Sequence, residues 1–510
     1  MGQSCLVIGV AGLARRHWLF GLAVAGAVVL RALAMLAFRP IMWFGGDSAS
    51  YLATGLRLVP DPSRVGGYGF LFTLLRPLHS FAAVAAVQHL AGLASGVLIY
   101  LLARRHRLPA WAATLAALPV LYDAYQVQLE SDALPSASFG FMVVLALYLL
   151  LRSPGGRRPA WAGGAALALG VSAILWPVGL ALLGVLGVWL LIRRCGWRAL
   201  AAAVIAAAVP VAGYCFFFDL HDHQFTLTRT DGVYLWARTM SFADCAVIRP
   251  PADERALCPP AGTRGPRMAA SLYVWDASSP LLRLPGGRFS ARTNALALGF
   301  ALRAIAAQPA GYAAAVAHDV ALGFYWDRPV HPDAAIVDRY QFADAATAWV
   351  PAGLRTPGGG TVAADQAAYA GGRPAPTRAV QPFASWLVRY QRYVYLRGTL
   401  LGAILLAGLA GIVVRRRAAL GAGLAWAFAA AILVVPPLTV DFDLRYPVSA
   451  VPAACLAAAL AFAPRPGAAG QRRCTTSPAA TGTSAVPAPD GTRTSSLPPG
   501  SSPAATPDSG

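Results

Sequence analysis

Long apolar runs alternate with short polar segments along most of the chain. Each run approaches the roughly 20 residues that an α-helix needs to cross the roughly 30 Å hydrocarbon core of a bilayer. The pattern predicts an all-α polytopic membrane protein with about ten spanning helices, two of them short and separated at Trp176-Pro177. The predicted spans are residues 18–37, 78–103, 109–128, 133–151, 160–176, 178–192, 199–218, 397–414, 418–438 and 446–463.

The arginines between these runs gather on alternate connections and so indicate the orientation. The short segments that carry them on one side contain no Asp or Glu. Because short cytoplasmic loops are enriched in basic residues, this side is predicted to be cytoplasmic. An even number of spans then places both termini in the cytoplasm of a multi-pass cell-membrane protein. The arginines concerned are Arg15, Arg16, Arg104, Arg105, Arg107, Arg152, Arg157, Arg158, Arg193, Arg194, Arg198, Arg415, Arg416, Arg417, Arg465, Arg472 and Arg473.

The same topology predicts how the chain is divided. The long segment between the seventh and eighth spans mixes aromatic residues, Pro and Gly and is expected to fold as an extracytoplasmic domain of mixed structure. Within it, residues 293–326 have helical spacing, which suits either a membrane-surface helix or a core helix. The last residues lack large apolar side chains and are predicted to be disordered. The predicted divisions are a cytoplasmic N-terminus (1–17), seven spans (18–218) with a catalytic first outer loop (38–77), the extracytoplasmic domain (219–396), three spans (397–463) and a disordered cytoplasmic tail (464–510).

The composition agrees with this topology and excludes other classes. The 510 residues are 57% apolar and 13% charged, with a mean hydropathy of +0.54, whereas soluble domains carry about 25% charged residues. A nucleic-acid-binding protein gathers its basic residues on a water-facing domain. Segment 219–396 instead has 17 arginines against 13 acidic residues. Nucleic acid is therefore not an expected partner, although the net charge is +20.

Cys245 and Cys258 are the two cysteines in the predicted outer domain. An oxidising exterior permits a disulfide between them. Two unrelated thiols remain the alternative.

The first outer loop contains the strongest candidate for chemistry, Asp47. It follows two glycines at residues 45–46, just beyond the first predicted span. An ionised carboxylate there could act as a general base that takes a proton from an acceptor hydroxyl. Alternatively, Asp47 caps a helix on the membrane surface. Tyr51 follows one helical turn later and is predicted to contact the substrate.

Two further polar groups lie on the same predicted side. Glu130 and Asp132 are candidates for positioning a donor or an acceptor, or for capping the fourth helix. Arg445 begins the last span, where it could hold a phosphate by paired hydrogen bonds, with Asp443 orienting it. A solvated turn with a local salt bridge is the alternative there. Arg31, near the outer end of the first span, is expected to snorkel to the membrane surface and not to be catalytic.

No metal site is assigned from the sequence. The His-Asp-His triplet at residues 221–223 has no further ligands at a spacing typical of zinc sites. No cofactor is specified, and a requirement for a divalent cation is left open.

These motifs resemble those of the GT-C integral membrane glycosyltransferases, the lipid-carrier-dependent class that includes protein O-mannosyltransferases and the aminoarabinose transferase of lipid A. The similarity lies in residues 44–52, in the turn at 125–135 and in residues 443–447. Actinobacterial members are similar around residues 230–238 and 242–245. Relatives often have an Arg-Pro pair where this chain has Trp176-Pro177.

The resemblance implies transfer of a sugar from a polyprenyl-phosphate donor to an extracytoplasmic glycan, lipid or protein acceptor. Asp47 would be the base, Glu130 or Asp132 would position a substrate, and Arg445 would lie near the leaving phosphate. A single displacement would invert the anomeric carbon.

A transporter or lipid flippase and a non-catalytic assembly protein are the competing hypotheses. Transporters usually contain internal repeats, but this chain shows no clear repeat, and its acidic residues collect on one side of the membrane.

Overall fold

The computed structural model describes residues 2–152, 158–259, 267–345, 350–373, 376–416 and 420–464, and no side chains before residue 17. These residues belong to one compact unit. The predicted tail lies, from residue 465 onward, outside the described residues. So do Arg157 and Arg417 and the side chains of Arg15 and Arg16.

Helices form almost all of the regular structure in the described residues. Four two-residue strands form two antiparallel pairs: β1 (Phe38–Arg39) with β4 (Arg378–Ala379), and β2 (Arg355–Thr356) with β3 (Gly360–Thr361). The helices are α1 (Gly2–Ala37), α2 (Gly45–Arg57), α3 (Gly69–Leu75), α4 (Phe81–Arg105), α5 (Ala110–Tyr122), α6 (Ala124–Ser131), α7 (Ser136–Leu151), α8 (Pro159–Leu175), α9 (Val178–Ile192), α10 (Trp197–Asp222), α11 (Asp231–Thr239), α12 (Cys245–Ile248), α13 (Ala270–Trp275), α14 (Ala291–Ala307), α15 (Pro309–Leu322), α16 (Ala334–Asp338), α17 (Val362–Tyr369), α18 (Phe383–Tyr393), α19 (Gly398–Arg415), α20 (Leu420–Thr439) and α21 (Arg445–Ala461).

The ten predicted spans correspond to α1, α4, α5, α7, α8, α9, α10, α19, α20 and α21. Among the described helices, five are long and apolar enough to cross a membrane: α4, α10, α19, α20 and the part of α1 from His17 to Ala37. The other predicted spans are apolar helices of 13–17 residues. The protein is thus an α-helical polytopic membrane protein, as its hydrophobic pattern predicts.

Local residue chemistry explains where two of the spans end. The chain leaves helical geometry between Leu175 and Val178, as predicted, because Pro177 cannot supply the backbone N–H that would continue α8. The predicted span 109–128 is too long, because Asp123 stops α5. Its carboxylate accepts hydrogen bonds from the backbone N–H groups of Tyr125 (2.8 Å) and Gln126 (3.2 Å), which caps the separate helix α6.

The first loop, residues 38–77, is largely helical and closely packed. A Cβ atom on Gly55 of α2 would lie 2.5 Å from the carbonyl oxygen of Gly69, so α2 and α3 approach at a distance that only glycine permits. Arg57 joins the end of α2 to the long segment through Asp365 (Nη1 to Oδ1, 2.5 Å) and Thr356 (Nη2 to Oγ1, 2.8 Å). These contacts hold the helix that carries Asp47.

Segment 219–396 has a hydrophobic core of its own, in which Trp236, Met240 and Phe300 are fully buried. Its regular structure is mostly helical. The predicted helix at 293–326 is divided into α14 and α15 at Pro309, and burial of Phe300 favours the core-helix alternative for α14. Cys245 and Cys258 are joined by a disulfide beside this core.

Candidate active site

Asp47 lies in the first turn of α2, where a carboxylate is favoured by the helix dipole. It is not the capping residue, which is Phe44, so the prediction that it caps a helix is wrong. Its side chain, 29% exposed, instead forms ion pairs with Arg64 and with Arg445 (Oδ2 to Nη1, 3.4 Å). We call Asp47, Arg64, Asp443 and Arg445 the Asp47 cluster.

Arg64 comes from the irregular stretch between α2 and α3 and was not predicted. Its guanidinium lies 3.7 Å from Asp61 (Nε to Oδ2) and 5.5 Å from the ring of Trp275. The first outer loop also contains Arg39, Arg57 and Arg76. Nothing in their sequence context distinguishes Arg64 as the one that reaches Asp47.

Arg445 is the first residue of α21. Besides Asp47 it contacts Asp443 (Nη2 to Oδ2, 3.0 Å), which also accepts a hydrogen bond from the Tyr340 hydroxyl at 2.6 Å. The predicted local salt bridge therefore exists, and its side chains are only 17% and 15% exposed. The Nε of Arg445 is buried and has no hydrogen-bond partner among the described residues.

Aromatic rings enclose the guanidinium of Arg445. Its Cζ lies 5.5 Å from the ring of Phe44 and 5.9 Å from that of Trp176, which stacks on Tyr446 at 4.9 Å. Trp176, which stands where members of the resembled class often have Arg, thus lines the site. A cation over aromatic faces is attracted by the ring quadrupole and is shielded from water.

The electrostatics of the site keep Asp47 ionised. Burial alone would raise the pKa of this carboxyl, but the charges and hydrogen bonds of Arg64 and Arg445 outweigh it and lower the pKa below its usual value. Burial and the nearby Asp47 charge raise the pKa of Tyr51, one turn further along α2. At neutral pH the ionised Asp47 therefore lies between two guanidiniums, beside the neutral phenol of Tyr51.

Asp132 is 1% exposed and lies at the end of α6, not at the start of α7, so the prediction that it caps the fourth helix is wrong. Its neighbours Ser131 and Ala133 form backbone hydrogen bonds of 2.9 Å with Met42, which joins this turn to the first loop. Its Oδ2 accepts a hydrogen bond from Gln128 (2.7 Å), and its Oδ1 has no partner among the described residues. Burial raises the pKa of Asp132 to about 8.

Glu130 is fully buried in a different set of contacts. Its carboxylate pairs with Arg31 (2.8 Å) and His89 (3.0 Å), and we call these three residues the Glu130 cluster. The prediction that Arg31 snorkels is wrong, because its side chain is 3% exposed and Glu130 neutralises it. Sequence spacing could not pair these residues, which are 99 positions apart.

Metal-ligating side chains do not converge in the described part of the chain: no three His, Cys, Asp or Glu residues come together there in a way that could hold a metal ion. In the triplet 221–223, the His221 ring bonds the carbonyl of Phe217 (2.9 Å) and Asp222 pairs with Arg229 (2.9 Å). Asp47 is paired with Arg64 and Arg445, whose positive charges disfavour a metal cation at the same place.

The Asp47 cluster combines a group that can accept a proton with groups that can bind an anion. The partly exposed carboxylate is able to accept a proton from a bound hydroxyl. The two guanidiniums suit an anion, since Arg binds phosphate through paired N–H donors.

Comparison with known proteins gave no family assignment. No family model and no curated protein match this chain. The Saccharomyces cerevisiae protein O-mannosyltransferase Pmt1-Pmt2 complex bound to the sugar donor is 16% identical over 44% of this chain and 36% of that chain, with a TM-score of 0.31. The Archaeoglobus fulgidus oligosaccharyltransferase is 14% identical over 88% of this chain and 50% of that chain, with a TM-score of 0.37.

ArnT from Cupriavidus metallidurans, bound to undecaprenyl phosphate, is 14% identical over 87% of this chain and 77% of that chain, with a TM-score of 0.35. This chain thus spans half or less of the yeast and archaeal proteins. At these TM-scores the similarity does not decide the activity, which has to be argued from the site itself.

Proposed function

We propose that this protein is a membrane glycosyltransferase that moves a sugar from a polyprenyl-phosphate carrier to an acceptor hydroxyl outside the cytoplasm. The observation that carries the proposal is the convergence of Asp47 and Arg64, from the first outer loop, with Arg445, the first residue of the last membrane helix. A carrier whose tail lies in the bilayer presents its phosphate at this level, and a water-borne acceptor reaches the same level from outside.

The roles follow from charge and exposure. Asp47 is the general base, and Arg445 stabilises the phosphate that leaves. Tyr51 and Asp443 shape the donor site, while Asp132 is the candidate for positioning a substrate. Glu130, paired within the Glu130 cluster, supports the turn that carries Asp132.

The reaction is a single displacement. The acceptor oxygen attacks the anomeric carbon while its proton passes to Asp47. The bond between that carbon and the phosphate oxygen breaks, and its electron pair remains on the phosphate beside Arg445. Attack opposite the leaving group inverts the anomeric configuration.

The proposal uses the orientation that the arginine-rich connections predict, with both termini in the cytoplasm and segment 219–396 outside. This arrangement suits the proposed donor, because nucleotide sugars are not available outside the cell. The partners are then the lipid-linked sugar, an extracytoplasmic glycan, lipid or protein acceptor, and membrane lipids.

The direct test supplies purified protein in nanodiscs with polyprenyl-phosphate-linked mannose, arabinose or glucose and a panel of glycan, lipid and peptide acceptors. We expect released polyprenyl phosphate and a new glycosidic product from one donor, and almost none from Asp47→Asn. Equal turnover by Asp47→Asn would remove Asp47 as the base. Movement of the lipid between leaflets of sealed vesicles without any product would favour a flippase, and binding without either would favour an assembly protein.

A further inference from the structure

Asp47 is held by the two guanidiniums that the proposed reaction needs for phosphate. Each arginine also has another carboxylate partner: Arg64 lies 3.7 Å from Asp61, and Arg445 lies 3.0 Å from Asp443. Both guanidiniums would therefore remain partly neutralised and in place without Asp47. The contacts with Asp47 are not required to hold either arginine.

Asp47 is also the most exposed member of its cluster. Its side chain is 29% exposed, against 15% for Arg64 and 17% for Arg445. Ion pairs that water can reach are weak and exchange easily. An incoming anion could therefore replace the carboxylate while the guanidiniums stay enclosed.

The arginines have capacity for a stronger partner. A guanidinium has five N–H donors, and the buried Nε of Arg445 has no acceptor among the described residues. A phosphate offers several oxygens and so can bind both arginines at once. Charge-assisted bidentate contacts of this kind are stronger than the one contact that each guanidinium makes to Asp47, which is close at Arg64 and 3.4 Å long at Arg445.

The present contacts conflict with catalysis by Asp47. The Asp47 carboxylate accepts a hydrogen bond from an arginine on each of its oxygens, which leaves fewer lone pairs for a proton, and its pKa lies below the usual value. Both effects weaken it as a proton acceptor. The base is therefore suppressed in the arrangement that the structure describes.

We propose that Arg64 and Arg445 form one phosphate-binding site, that Asp47 occupies it in the resting protein, and that an incoming phosphate group displaces Asp47 and thereby frees it. Arg64 becomes a second phosphate ligand. The inference rests on the proposed function in one respect: as the base is released only when donor phosphate is bound, the donor would bind before the acceptor reacts.

The test measures equilibrium binding of undecaprenyl phosphate, a carrier without sugar, to the full chain in nanodiscs. We expect Asp47→Asn to bind it about two- to fivefold more tightly, because the competing carboxylate is gone. Arg64→Ala should bind about tenfold more weakly or worse, since charge-assisted hydrogen bonds are lost. Unchanged or weaker binding by Asp47→Asn would overturn the proposal.

A matched control comes from another ion pair of similar exposure. Arg229 and Asp222 are 18% and 23% exposed and lie outside the Asp47 cluster. Asp222→Asn and Arg229→Ala should leave undecaprenyl phosphate binding unchanged. If they shift it as the site variants do, the effect comes from net charge and the proposal fails.

A double variant separates competition from simple repulsion. If Asp47 competes for Arg64, the gain from Asp47→Asn should shrink in an Arg64→Ala background. A gain of the same size in both backgrounds would mean that Asp47 only repels the anion, which overturns the proposal. A parallel series with inorganic phosphate identifies the source: the same pattern with the free ion assigns the site to phosphate itself, and the pattern with the lipid alone assigns it to a lipid head group.

This binding assay does not depend on sugar transfer. Tighter binding by Asp47→Asn in a protein without transferase activity would support the phosphate site and reject the proposed function. An active transferase whose Asp47→Asn variant binds undecaprenyl phosphate like the wild type would retain its function and lose this inference. Thermal unfolding of each variant identifies any that fails to fold.

Discussion

The Asp47 cluster and the Glu130 cluster have similar chemical components in opposite settings. Each places a carboxylate against an arginine and a second nitrogen-bearing side chain. Asp47 is 29% exposed, whereas Glu130 is 0% exposed. The same kind of ion pair can thus stabilise the fold when it is buried, or be replaced by a ligand when solvent reaches it.

The energetics follow from this difference. A buried carboxylate has given up its hydration, so removing its partner leaves an uncompensated charge in a medium of low dielectric constant. Burial alone would raise the pKa of Glu130, but Arg31 and His89 keep it below the usual value. An accessible pair is screened and contributes little to stability. Loss of the Asp47 carboxylate is therefore expected to cost little stability, whereas loss of the Glu130 carboxylate is expected to destabilise the fold.

The largest expected effect separates activity from stability at Asp47. Asp47→Asn should lower kcat about 100- to 10,000-fold, because a general base contributes that much. Its unfolding temperature should hardly change, since Arg64 and Arg445 keep Asp61 and Asp443 as partners. Turnover and thermal unfolding on the same preparation check this. A large fall in unfolding temperature would show that Asp47 is structural and would remove the contrast.

At Glu130 the expected loss is in stability and not primarily in turnover. Glu130→Ala should lower the free energy of unfolding by about 3–5 kcal/mol, because Arg31 is left buried and unpaired. Denaturant or thermal unfolding in detergent measures it. The control is Arg31→Met with Glu130→Leu, which removes both charges and should recover much of the loss. A Glu130→Ala protein of normal stability but without turnover would move Glu130 into the chemistry.

A smaller loss of stability is expected when the packing around Glu130 is disturbed. A Cβ atom on Gly92 would lie 1.8 Å from Oε1 of Glu130, so Gly92→Ala should displace the carboxylate and cost about 1–3 kcal/mol of stability. Gly140, in α7, would meet nothing within 4 Å. Gly140→Ala should be neutral or slightly stabilising. Equal unfolding temperatures for the two variants would contradict the tight packing at Glu130.

The last prediction concerns Asp132, whose carboxylate contacts no cationic group within hydrogen-bond distance among the described residues. Its pKa is about 8 in the folded chain, against about 3.9 when unfolded. Between these values the folded protein keeps a proton that the unfolded chain has lost, so stability falls as pH rises. Wild type should lose stability relative to Asp132→Asn from pH about 5 to about 8, measured by thermal unfolding. A pH-independent difference would mean that Asp132 is ionised in the fold.

Much of the fold was predictable because membrane helices are encoded locally. Span length and apolar composition identified the ten helices, and Pro177 predicted the break between α8 and α9. The errors came from single residues that end or divide a helix. Asp123 ends α5 earlier than its apolar run suggests, and Pro309 divides a pattern that is periodic across both halves.

The candidate site was predictable only in part. Asp47, Asp443 and Arg445 were identified by their position at predicted helix ends, and the structure brings them together. Arg64 was missed, because it lies in a stretch without periodicity and is one of several arginines in its loop. Glu130 was grouped with Asp132 from their proximity in sequence, yet its side chain pairs with α1 and α4 instead.

The amino-acid sequence by itself determined which segments are helical and apolar, because the cost of leaving backbone groups unbonded in a bilayer acts on each segment alone. It also determined where acidic and basic residues could meet water, at the helix ends. Only the tertiary structure decided which arginine faces which carboxylate and how much water each pair meets. Those pairings join residues up to 398 positions apart, and exposure depends on all the neighbours at once.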